Sequence, residues 1–371
     1  MNVLILSSVI RQFYLFESNN ILALRKLGYN VCGIANCDGD EDLRIKKIDI
    51  PIHHVDIKRS PFDIRNILAL WNVLKFTRIN KVDIIHCHSP IGGVVGRLVK
   101  LFNPSIKVIY TAHGFHFYRG SSFTSWLIYF PVEWILSFLT DCLITINNED
   151  FMVAKSRLSS KKTVYVPGVG VDESRFNVVP MLSRAQLGLK QTQFVILCVG
   201  EFISRKNHIS LIKAISILNP RDNLKVLLCG RGVLESSLKK VVRDLGLDDI
   251  VNFMGYRNDI DQIVALSDVF VFPSYQEGLP VSVMEAMLSG LPVIASNIRG
   301  VSDLIDDGKG GFLVEPDDVS TLANKINELM SDPIKSDSMS RYNQEKIRDF
   351  TSVSVLEKML SVYSDCVSTE R

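Results

Sequence analysis

Val269-Phe-Val-Phe272-Pro-Ser-Tyr-Gln-Glu277-Gly-Leu-Pro280-Val-Ser-Val-Met-Glu285 contains a strand, a loop and the start of a helix in one short stretch. The apolar run from Val269 to Phe272 is typical of a buried strand. Gly278-Leu-Pro280 then breaks the chain before a helical pattern from Val281 to Ser289. A helix that begins at the carboxyl end of a strand binds anions through its free amides. The stretch therefore predicts a strand, turn and helix of an α/β fold, with an anion site at the turn.

Two glutamates lie in this unit, Glu277 in the loop and Glu285 about one turn inside the helix, a rise of roughly 6 Å from Val281. Glu285 is the only ionisable side chain from Val281 to Ile298, and a lone buried charge must find strong partners or shift its pKa. The two carboxylates could bind hydroxyls on either side of a diphosphate held at the helix amides. Alternatively, Glu277 is a solvated loop charge and Glu285 a buried capping group. Spacing alone leaves both interpretations open.

Length and composition indicate a globular protein with two domains. The 371 residues exceed what a single core usually supports, and 47% of them are hydrophobic and 22% charged. The N-terminus enters Asn2-Val-Leu-Ile-Leu-Ser7 without a basic leader, so we expect a cytoplasmic protein. The seven cysteines are scattered singly with no close pair at metal or redox spacing, and we expect them to be reduced core residues.

Charge is uneven along the chain, although the formal net charge is only +2. Residues 1–170 carry 20 Lys and Arg against 13 Asp and Glu, whereas the remainder carries 22 against 27. A basic N-terminal half suggests an anionic partner. Because there is no long basic run and no recognisable nucleic-acid-binding module, an anionic membrane surface or a phosphorylated lipid fits this charge better than nucleic acid.

Short β-branched runs alternate with helical patterns, which predicts parallel sheets covered by helices on both faces. A turn-rich break from Val166 to Pro180 separates two such series. We predict two doubly wound domains with a cleft between them and ligands at the carboxyl ends of their strands. The strands are predicted at Val3–Ser7, Val31–Ala35, Asp83–His86, Val108–Thr111 and Leu143–Ile146, then at Phe194–Gly200, Lys225–Cys229, Val251–Met254, Val269–Phe272 and Val293–Ala295.

Glycine turns follow three predicted strands of the second domain. Gly200-Glu-Phe-Ile-Ser-Arg-Lys206 precedes a helix, where two cations can neutralise a diphosphate leaving group. An ordinary solvated basic turn is the alternative. Gly230-Arg231-Gly232 and Gly255-Tyr256-Arg257 are weaker signals, because a glycine after a strand is usually only a tight turn.

Six of the seven histidines occur in close pairs. His86 and His88 alternate on one strand face and could mimic a metal site, but no carboxylate lies nearby in sequence, so we predict no metal. In Tyr110-Thr-Ala-His113-Gly-Phe-His116-Phe-Tyr118 a strand ends and a glycine turn presents His113. His113 is therefore a candidate site residue of the first domain, and a site role and a structural role both stay open for His116.

An aromatic segment from Phe115 to Phe138 holds nine of the 32 aromatic residues, including Trp126 and Trp134. It does not resemble a membrane span, because Pro131 and Glu133 interrupt it and neither half is long enough. One interpretation is an amphipathic face that touches the bilayer beside basic residues such as Arg119. The other is a core between helices, and both stay open.

Glu277-Gly-Leu-Pro280, Glu285-Ala-Met287 and Gly290-Leu-Pro-Val-Ile-Ala-Ser296 closely resemble the nucleotide-sugar signature of family 4 retaining glycosyltransferases. The segment around His113 resembles the capsule, exopolysaccharide and O-antigen members of that family. The resemblance spans nearly the whole chain and implies the GT-B fold, in which two Rossmann-like domains face a cleft. It implies an acceptor-binding domain at 1–170, a nucleotide-sugar donor-binding domain at 171–351, and a C-terminal helix at about 352–371 that packs back on the first domain.

The resemblance also implies roles for the candidate residues. Catalytic roles fall to His113, which faces the donor sugar in relatives, and to Glu277, Lys206 and Arg205. The implied donor-binding residues are Glu285, Gly278, Leu279, Pro280, Val281, Gly200, Gly230, Arg231, Tyr256 and Arg257. Two departures are evident: Glu201 stands where many relatives have Arg, and Ser7-Ser-Val-Ile-Arg-Gln-Phe13 replaces a glycine-rich loop. Ser8 and Arg11 are the acceptor-side candidates in that loop, together with His116, Arg119, Trp126 and Trp134.

We therefore expect a metal-independent enzyme without a cofactor. It would move a sugar from a nucleoside diphosphate donor, with UDP the expected nucleotide, to a polyprenyl-diphosphate-linked saccharide. It would act at the inner face of the plasma membrane during bacterial surface polysaccharide synthesis. One alternative is a nucleotide-sugar 2-epimerase of the same fold, against which the aromatic segment argues. The other is a non-catalytic nucleotide-sugar-binding subunit, which need not keep both glutamates, Lys206 and His113.

Overall fold

A computed structural model describes residues 1–39, 43–176, 181–219 and 223–368. The chain divides into two compact units. The N-terminal unit contains Met1–Val169 and the segment that begins at Ser352, and the C-terminal unit is Gly170–Thr351. Residues 177–180 of the expected turn-rich break lie outside the described residues.

The N-terminal unit is built on a seven-stranded parallel sheet with the order β3-β2-β1-β4-β5-β6-β7. The inner strands are short and mostly apolar, whereas the edge strands β3 and β7 are more polar and more exposed. The strands are β1 Asn2–Leu6, β2 Asn30–Ala35, β3 Ile52–His54, β4 Ile84–His88, β5 Lys107–Ala112, β6 Cys142–Thr145 and β7 Lys162–Tyr165. The helices are α1 Arg11–Phe16, α2 Ser18–Lys26, α3 Arg65–Ile79, α4 Pro90–Phe102, α5 Phe123–Ser137 and α6 Asn148–Arg157.

The C-terminal unit repeats this architecture with a six-stranded parallel sheet in the order β10-β9-β8-β11-β12-β13. Its strands are β8 Phe194–Val199, β9 Leu224–Cys229, β10 Val251–Gly255, β11 Val269–Phe272, β12 Val293–Ser296 and β13 Gly311–Val314. Its helices are α7 His208–Ile217, α8 Glu235–Asp244, α9 Ile260–Ala265, α10 Val281–Leu288, α11 Val301–Leu304, α12 Val319–Ser331 and α13 Pro333–Lys346.

The order of the strands reverses once in each sheet, between β1 and β4 and between β8 and β11. At such a reversal the loops leave the two neighbouring strands toward opposite faces of the sheet, which opens a crevice at their carboxyl ends. The prediction of doubly wound parallel sheets is confirmed. Functional side chains are therefore expected in the loops after β1, β4, β8 and β11.

The last helix, α14 Ser352–Ser368, belongs to the N-terminal unit, as the sequence predicted. Its apolar side chains recur at helical spacing, and one buried core joins them to the inner face of the sheet. The helix contributes Val355, Met359, Val362, Tyr363 and Cys366 to this core, beside Val3, Ile5, Ile84, Ile109 and Ile144 of the strands. Helix α14 therefore covers one face of the first sheet.

We predict that Met359→Ala lowers the free energy of unfolding of the N-terminal unit by about 2–5 kcal/mol, because it leaves a cavity under the sheet. Met359 is 2% exposed, whereas Val353 of the same helix is 58% exposed. Val353→Ala is therefore the matched control and should change the free energy by less than about 0.5 kcal/mol. Urea denaturation followed by tryptophan fluorescence measures this unit, because Trp71, Trp126 and Trp134 all lie in it. Equal effects of the two variants would contradict the packing described for α14.

Candidate active site

One carboxylate joins the loops that follow β8 and β11. Glu277 Oε1 lies 2.9 Å from Arg205 Nη1 and 2.8 Å from Lys206 Nζ. Arg205 also donates to the backbone carbonyl of Gln276 at 2.7 Å. The Glu277 side chain is only 10% exposed, so the interpretation of Glu277 as a solvated loop charge is wrong. The basic turn and the acidic loop, which are distant in sequence, form one ionic cluster at the strand-order reversal.

Helix α10 begins beside this cluster without a side-chain cap. Its N-cap is Pro280, so the amides of the first turn have no capping side chain. Gly278 is half-buried, and Leu279 and Pro280 are buried. This loop is fixed by close packing, because a Cβ on Gly300, where φ is +76°, would lie 1.9 Å from the carbonyl oxygen of Gly278. The predicted helix amides are therefore present at a tightly held loop.

Glu285 lies in α10 with its side chain 14% exposed. Its Oε1 is 3.4 Å from Nη1 of Arg175, a residue of the turn that opens the C-terminal unit. Burial raises the pKa of Glu285 to about 6; Arg175 counteracts this shift and Asp261 adds to it. Glu285 thus has both a partner and a shifted pKa. The capping interpretation is wrong, since no side chain caps α10.

The glycine turns after β8, β9 and β10 lie against one another. The Gly200 amide donates to the Cys229 carbonyl at 3.0 Å, and the Gly230 amide donates to the Gly255 carbonyl at 2.8 Å. A Cβ on Gly230 would lie 1.9 Å from the Gly200 carbonyl oxygen, so only glycine permits this approach. The three turns form one surface at the carboxyl edge of the sheet.

Three further donor-side candidates lie on these turns. Arg231 is exposed, and Tyr256 is 56% exposed. Arg257 makes two hydrogen bonds to Asp259, at 2.8 and 2.6 Å. Because Asp259 already pairs with the Arg257 guanidinium, the turn from Gly255 to Arg257 offers mainly its backbone and the Tyr256 ring to a ligand.

A buried cluster of histidines lies at the strand-order reversal of the N-terminal unit. His86 and His88 share one face of β4, as predicted, with ring centroids 4.1 Å apart. A carboxylate does lie near them in space, because Glu17 Oε2 is 3.1 Å from His88 Nε2. Together Glu17, His86 and His88 have the residue types of a metal site.

The side chains around His86 make this cluster a hydrogen-bonded network. His86 Nδ1 lies 2.7 Å from the Tyr363 hydroxyl, and Nε2 lies 2.8 Å from Thr111 Oγ1. Burial lowers the pKa of His86 well below its usual value. A neutral imidazole with a partner on each nitrogen has no free ligand atom, so a cation would have to displace one of these hydrogen bonds.

His113 follows β5 and joins the same network. Its Nε2 lies 3.2 Å from His88 Nδ1 and 3.1 Å from Gln12 Nε2. Burial, together with His88, lowers the pKa of His113 to about 4, and Glu17 opposes this shift. His113 is therefore neutral at pH 7. Glu17 and Gln12 had no signal in the sequence, because both are distant from the histidines along the chain.

The acceptor-side candidates of the first loop border a pocket of about 700 Å³. Ser8 is buried and lies 3.0 Å from Ser89 through their hydroxyl oxygens, which joins the loops after β1 and β4. Arg11 lines the pocket together with Lys58 and Arg59. Sequence reasoning missed Lys58 and Arg59, which lie beyond β3 and reach this loop only through the fold.

Two other acceptor-side candidates, His116 and Arg119, do not line this pocket. His116 is exposed and stacks on Tyr129 with ring centroids 4.5 Å apart. Arg119 is also exposed, and its amide donates to Glu149 at 2.5 Å. The pocket lining contains neither residue.

The aromatic segment forms α5, and its two tryptophans have different environments. Trp126 packs on Phe117 and Phe130 at the edge of a buried core, whereas Trp134 is 44% exposed. The membrane-side expectation for Trp126 is therefore corrected to a packing role. Among the described residues, no helix combines the length and apolarity needed to cross a membrane.

Much of α5 is nevertheless exposed, and it continues onto α3 and α4. We call this surface the apolar helix face. Its exposed side chains are Ile67, Leu68 and Trp71 of α3, Leu101 and Phe102 of α4, and Phe123, Leu127, Ile128, Val132, Trp134 and Ile135 of α5. The interpretation of the segment purely as a core between helices is wrong for these side chains.

Two doubly wound parallel sheets, with the last helix packed on the first unit, define the GT-B class of proteins. A structure of Alr3699/HepE from Anabaena in complex with UDP has this fold, with a TM-score of 0.83 and 21% identity over 98% of this chain and all of that one. Residues 3–147 match the family model "Glycosyl transferase 4-like", and residues 182–346 match "Glycosyl transferases group 1".

Two relatives resemble the chain over most of its length. EpsD of Bacillus subtilis (strain 168), named as a glycosyltransferase, is 33% identical over 98% of this chain and 96% of its own. An Escherichia coli UDP-Gal:α-D-GlcNAc-diphosphoundecaprenol α-1,3-galactosyltransferase is 30% identical over 82% of this chain and 80% of its own. The chain belongs to the family 4, group 1 glycosyltransferases and is a glycosyltransferase. These relatives give no support to the epimerase alternative.

Proposed function

We propose that this glycosyltransferase moves a sugar from UDP, with retention at the anomeric carbon, to a polyprenyl-diphosphate-linked saccharide during bacterial surface polysaccharide synthesis. The observation that carries the proposal is the ionic cluster of Glu277, Arg205 and Lys206 beside the uncapped start of α10. Two cations and a set of free amides converge where a diphosphate would need stabilisation as it leaves.

In this proposal the C-terminal unit binds the donor. Lys206 and Arg205 stabilise the departing diphosphate, and the amides of Gly278 to Val281 share that charge. Glu277 positions sugar hydroxyls. Because two cations already hold its carboxylate, Glu277 is better suited to this role than to nucleophilic attack on the sugar. Glu285 accepts hydrogen bonds from the ribose hydroxyls, and the glycine turns with Tyr256 border the base.

The N-terminal unit binds the acceptor in the proposal. A pyrophosphate linkage carries one negative charge on each phosphate, and the pocket beside Ser8 presents Arg11, Lys58 and Arg59 against the carboxylate of Asp38. The name of the Escherichia coli relative states an acceptor with a diphosphoundecaprenol group. These cations would bind the diphosphate of such a lipid, while His113 hydrogen-bonds a hydroxyl of the reacting sugar.

An anionic membrane surface is the proposed partner of the apolar helix face. Exposed Trp71, Leu127 and Ile135 offer apolar contact area, and exposed Lys75 and Arg78 on α3 supply positive charge beside it. A helix surface that combines exposed apolar side chains with nearby cations binds in the interface of an anionic bilayer. The protein would then act peripherally at the cytoplasmic face, where a polyprenyl-linked acceptor is accessible.

The first prediction is acceptor-dependent transfer. Purified protein, incubated with UDP-galactose, UDP-glucose, UDP-N-acetylglucosamine or UDP-N-acetylgalactosamine and a polyprenyl-diphosphate-linked saccharide, should release UDP and label the lipid. The variant Lys58→Ala/Arg59→Ala should require more lipid acceptor and an unchanged amount of donor. A nucleotide-sugar 2-epimerase would instead give free product without any acceptor. No transfer with any donor across a panel of lipid-linked saccharides would overturn the proposal.

The second prediction concerns pH and Glu285. The ribose hydroxyls bind the ionised carboxylate, and the raised pKa of about 6 means that Glu285 gains a proton as the pH falls below that value. Donor affinity should therefore fall as the pH drops from 7 to 5, by roughly tenfold per pH unit at the acidic end. Calorimetry with a UDP-sugar measures this, because the diphosphate diester itself does not titrate there.

Glu285→Gln is the matched control for this titration. The variant should bind the donor weakly at every pH and lose the pH dependence, and Glu285→Ala should raise the donor KM far more than the acceptor KM. A wild-type affinity that stays constant from pH 7 to pH 5 would contradict the assigned role, as would equal effects of Glu285→Ala on the two substrates.

The third prediction concerns the membrane. The variant Trp71→Ser/Leu127→Ser/Ile135→Ser should weaken binding to vesicles containing phosphatidylglycerol by at least about tenfold, because it removes three exposed apolar side chains. Binding of the wild type should also fall with added salt. Val233→Ser, at an 88% exposed site in the C-terminal unit, is the control and should bind as the wild type does. Co-sedimentation measures both, and wild-type failure to bind anionic vesicles would refute this partner.

A further inference from the structure

Glu17 is a buried carboxylate that none of the roles above uses. It lies between α1 and α2 and is 0% exposed. Gln12 Nε2 donates to Oε1 at 2.7 Å, and Asn20 Nδ2 donates to Oε2 at 2.7 Å. Burial alone would raise the pKa of Glu17, but the charge and hydrogen bond of His88 lower it to about 2. Glu17 is therefore an ionised acceptor on both oxygens.

The orientation of the Gln12 amide follows from that charge. Its nitrogen must face Glu17, because the amide oxygen in that position would oppose a carboxylate oxygen. The same nitrogen lies 3.1 Å from His113 Nε2 and has a second proton to donate. His113 Nε2 is therefore the bare, accepting nitrogen. Since His113 is neutral, its one ring proton is on Nδ1.

His88 lies against the same nitrogen of His113. Its Nε2 is 3.1 Å from Oε2 of Glu17, and its Nδ1 is 3.2 Å from Nε2 of His113. Nε2 of His113 has a single lone pair, and the Gln12 amide donates to it. Gln12 and His88 therefore enclose the accepting nitrogen of His113.

We infer that Glu17 and Gln12 are positioning residues that fix His113 as the neutral tautomer with its proton on Nδ1. In this state His113 presents a hydrogen-bond donor to a sugar hydroxyl. A proton-accepting Nε2 is not available, because the Gln12 amide occupies it. The link from His113 to a sugar hydroxyl rests on the proposed function; the tautomer does not.

Long-range ¹H–¹⁵N spectra of protein labelled with ¹⁵N in its histidine rings test the tautomer directly. There are only seven histidines, and His113→Gln assigns the His113 signals by their loss. The wild type without substrate should show His113 protonated on Nδ1 alone. A proton on Nε2 of His113 would overturn the inference.

Glu17→Gln tests the origin of this state, because it removes the charge and keeps the shape of the side chain. It should change the His113 pattern, because Gln12 loses the charged acceptor that orients its amide, while the exposed His53 and His54 signals stay as in the wild type. Unchanged His113 signals in a folded Glu17→Gln protein would refute the role of Glu17. Should that variant not fold, the wild-type spectrum alone still decides the tautomer.

Kinetics separate this inference from the proposed function. If transfer is observed, Glu17→Gln should lower kcat roughly tenfold through the lost orientation of His113 and leave the donor KM nearly unchanged. The predicted ring protonation with no transfer would refute the proposed function alone. Transfer by a protein whose His113 carries its proton on Nε2 would refute the positioning role alone.

Discussion

The structure of the C-terminal unit depends on one constraint, the ionic contact of Glu277 with Arg205 and Lys206. The loops after β8 and β11 leave the sheet toward opposite faces, so nothing in the sheet itself holds them together. The hydrogen bond from the Tyr275 amide to the Arg205 carbonyl joins the loops at one point, and a carboxylate shared by two cations adds the charged link. That carboxylate places three charges beside the uncapped amides of α10. Since Glu277 and Lys206 are only 10% and 14% exposed, water screens this contact weakly. The same residues that shape the crevice are therefore available to bind an anion in it.

The N-terminal unit has the same topology, but different side chains join the loops at its strand-order reversal. Its reversal between β1 and β4 is joined by the hydroxyls of Ser8 and Ser89, which carry no charge. Charge enters instead through Glu17, which is fully buried and accepts hydrogen bonds from Gln12 and Asn20. A buried carboxylate imposes strict hydrogen-bond directions on its neighbours, because each of its oxygens must meet a donor. The first unit is thus organised to fix orientations, whereas the second is organised to concentrate charge.

Local pattern in the sequence was enough to predict most strands, because each buried parallel strand is a continuous apolar run. Three strands were missed: β3 and β7 are short edge strands with mostly exposed or half-exposed residues, and β13 is an edge strand that begins at Gly311, a residue type depleted in strands. Glu277 and Glu285 were found because a charge within an apolar helix and its loop is a local anomaly. Arg175 was missed because it meets Glu285 across 110 positions, and Glu17 because it meets His88 only through the fold. Contacts of this kind are set by strand order, which no local pattern specifies.

Helix α5 shows why one charge was ambiguous in the sequence. Glu133, which seemed to interrupt an apolar segment, accepts two hydrogen bonds from Arg97 at 2.6 and 3.1 Å and points into the unit. Arg97 is itself 1% exposed and stacks on Tyr110 at 4.1 Å. Removing either partner would leave the other as an unpaired buried charge. The pair therefore fixes the rotation of α5 about its axis. Because the only charge of α5 points inward, the outward surface of the helix is left entirely apolar or neutral.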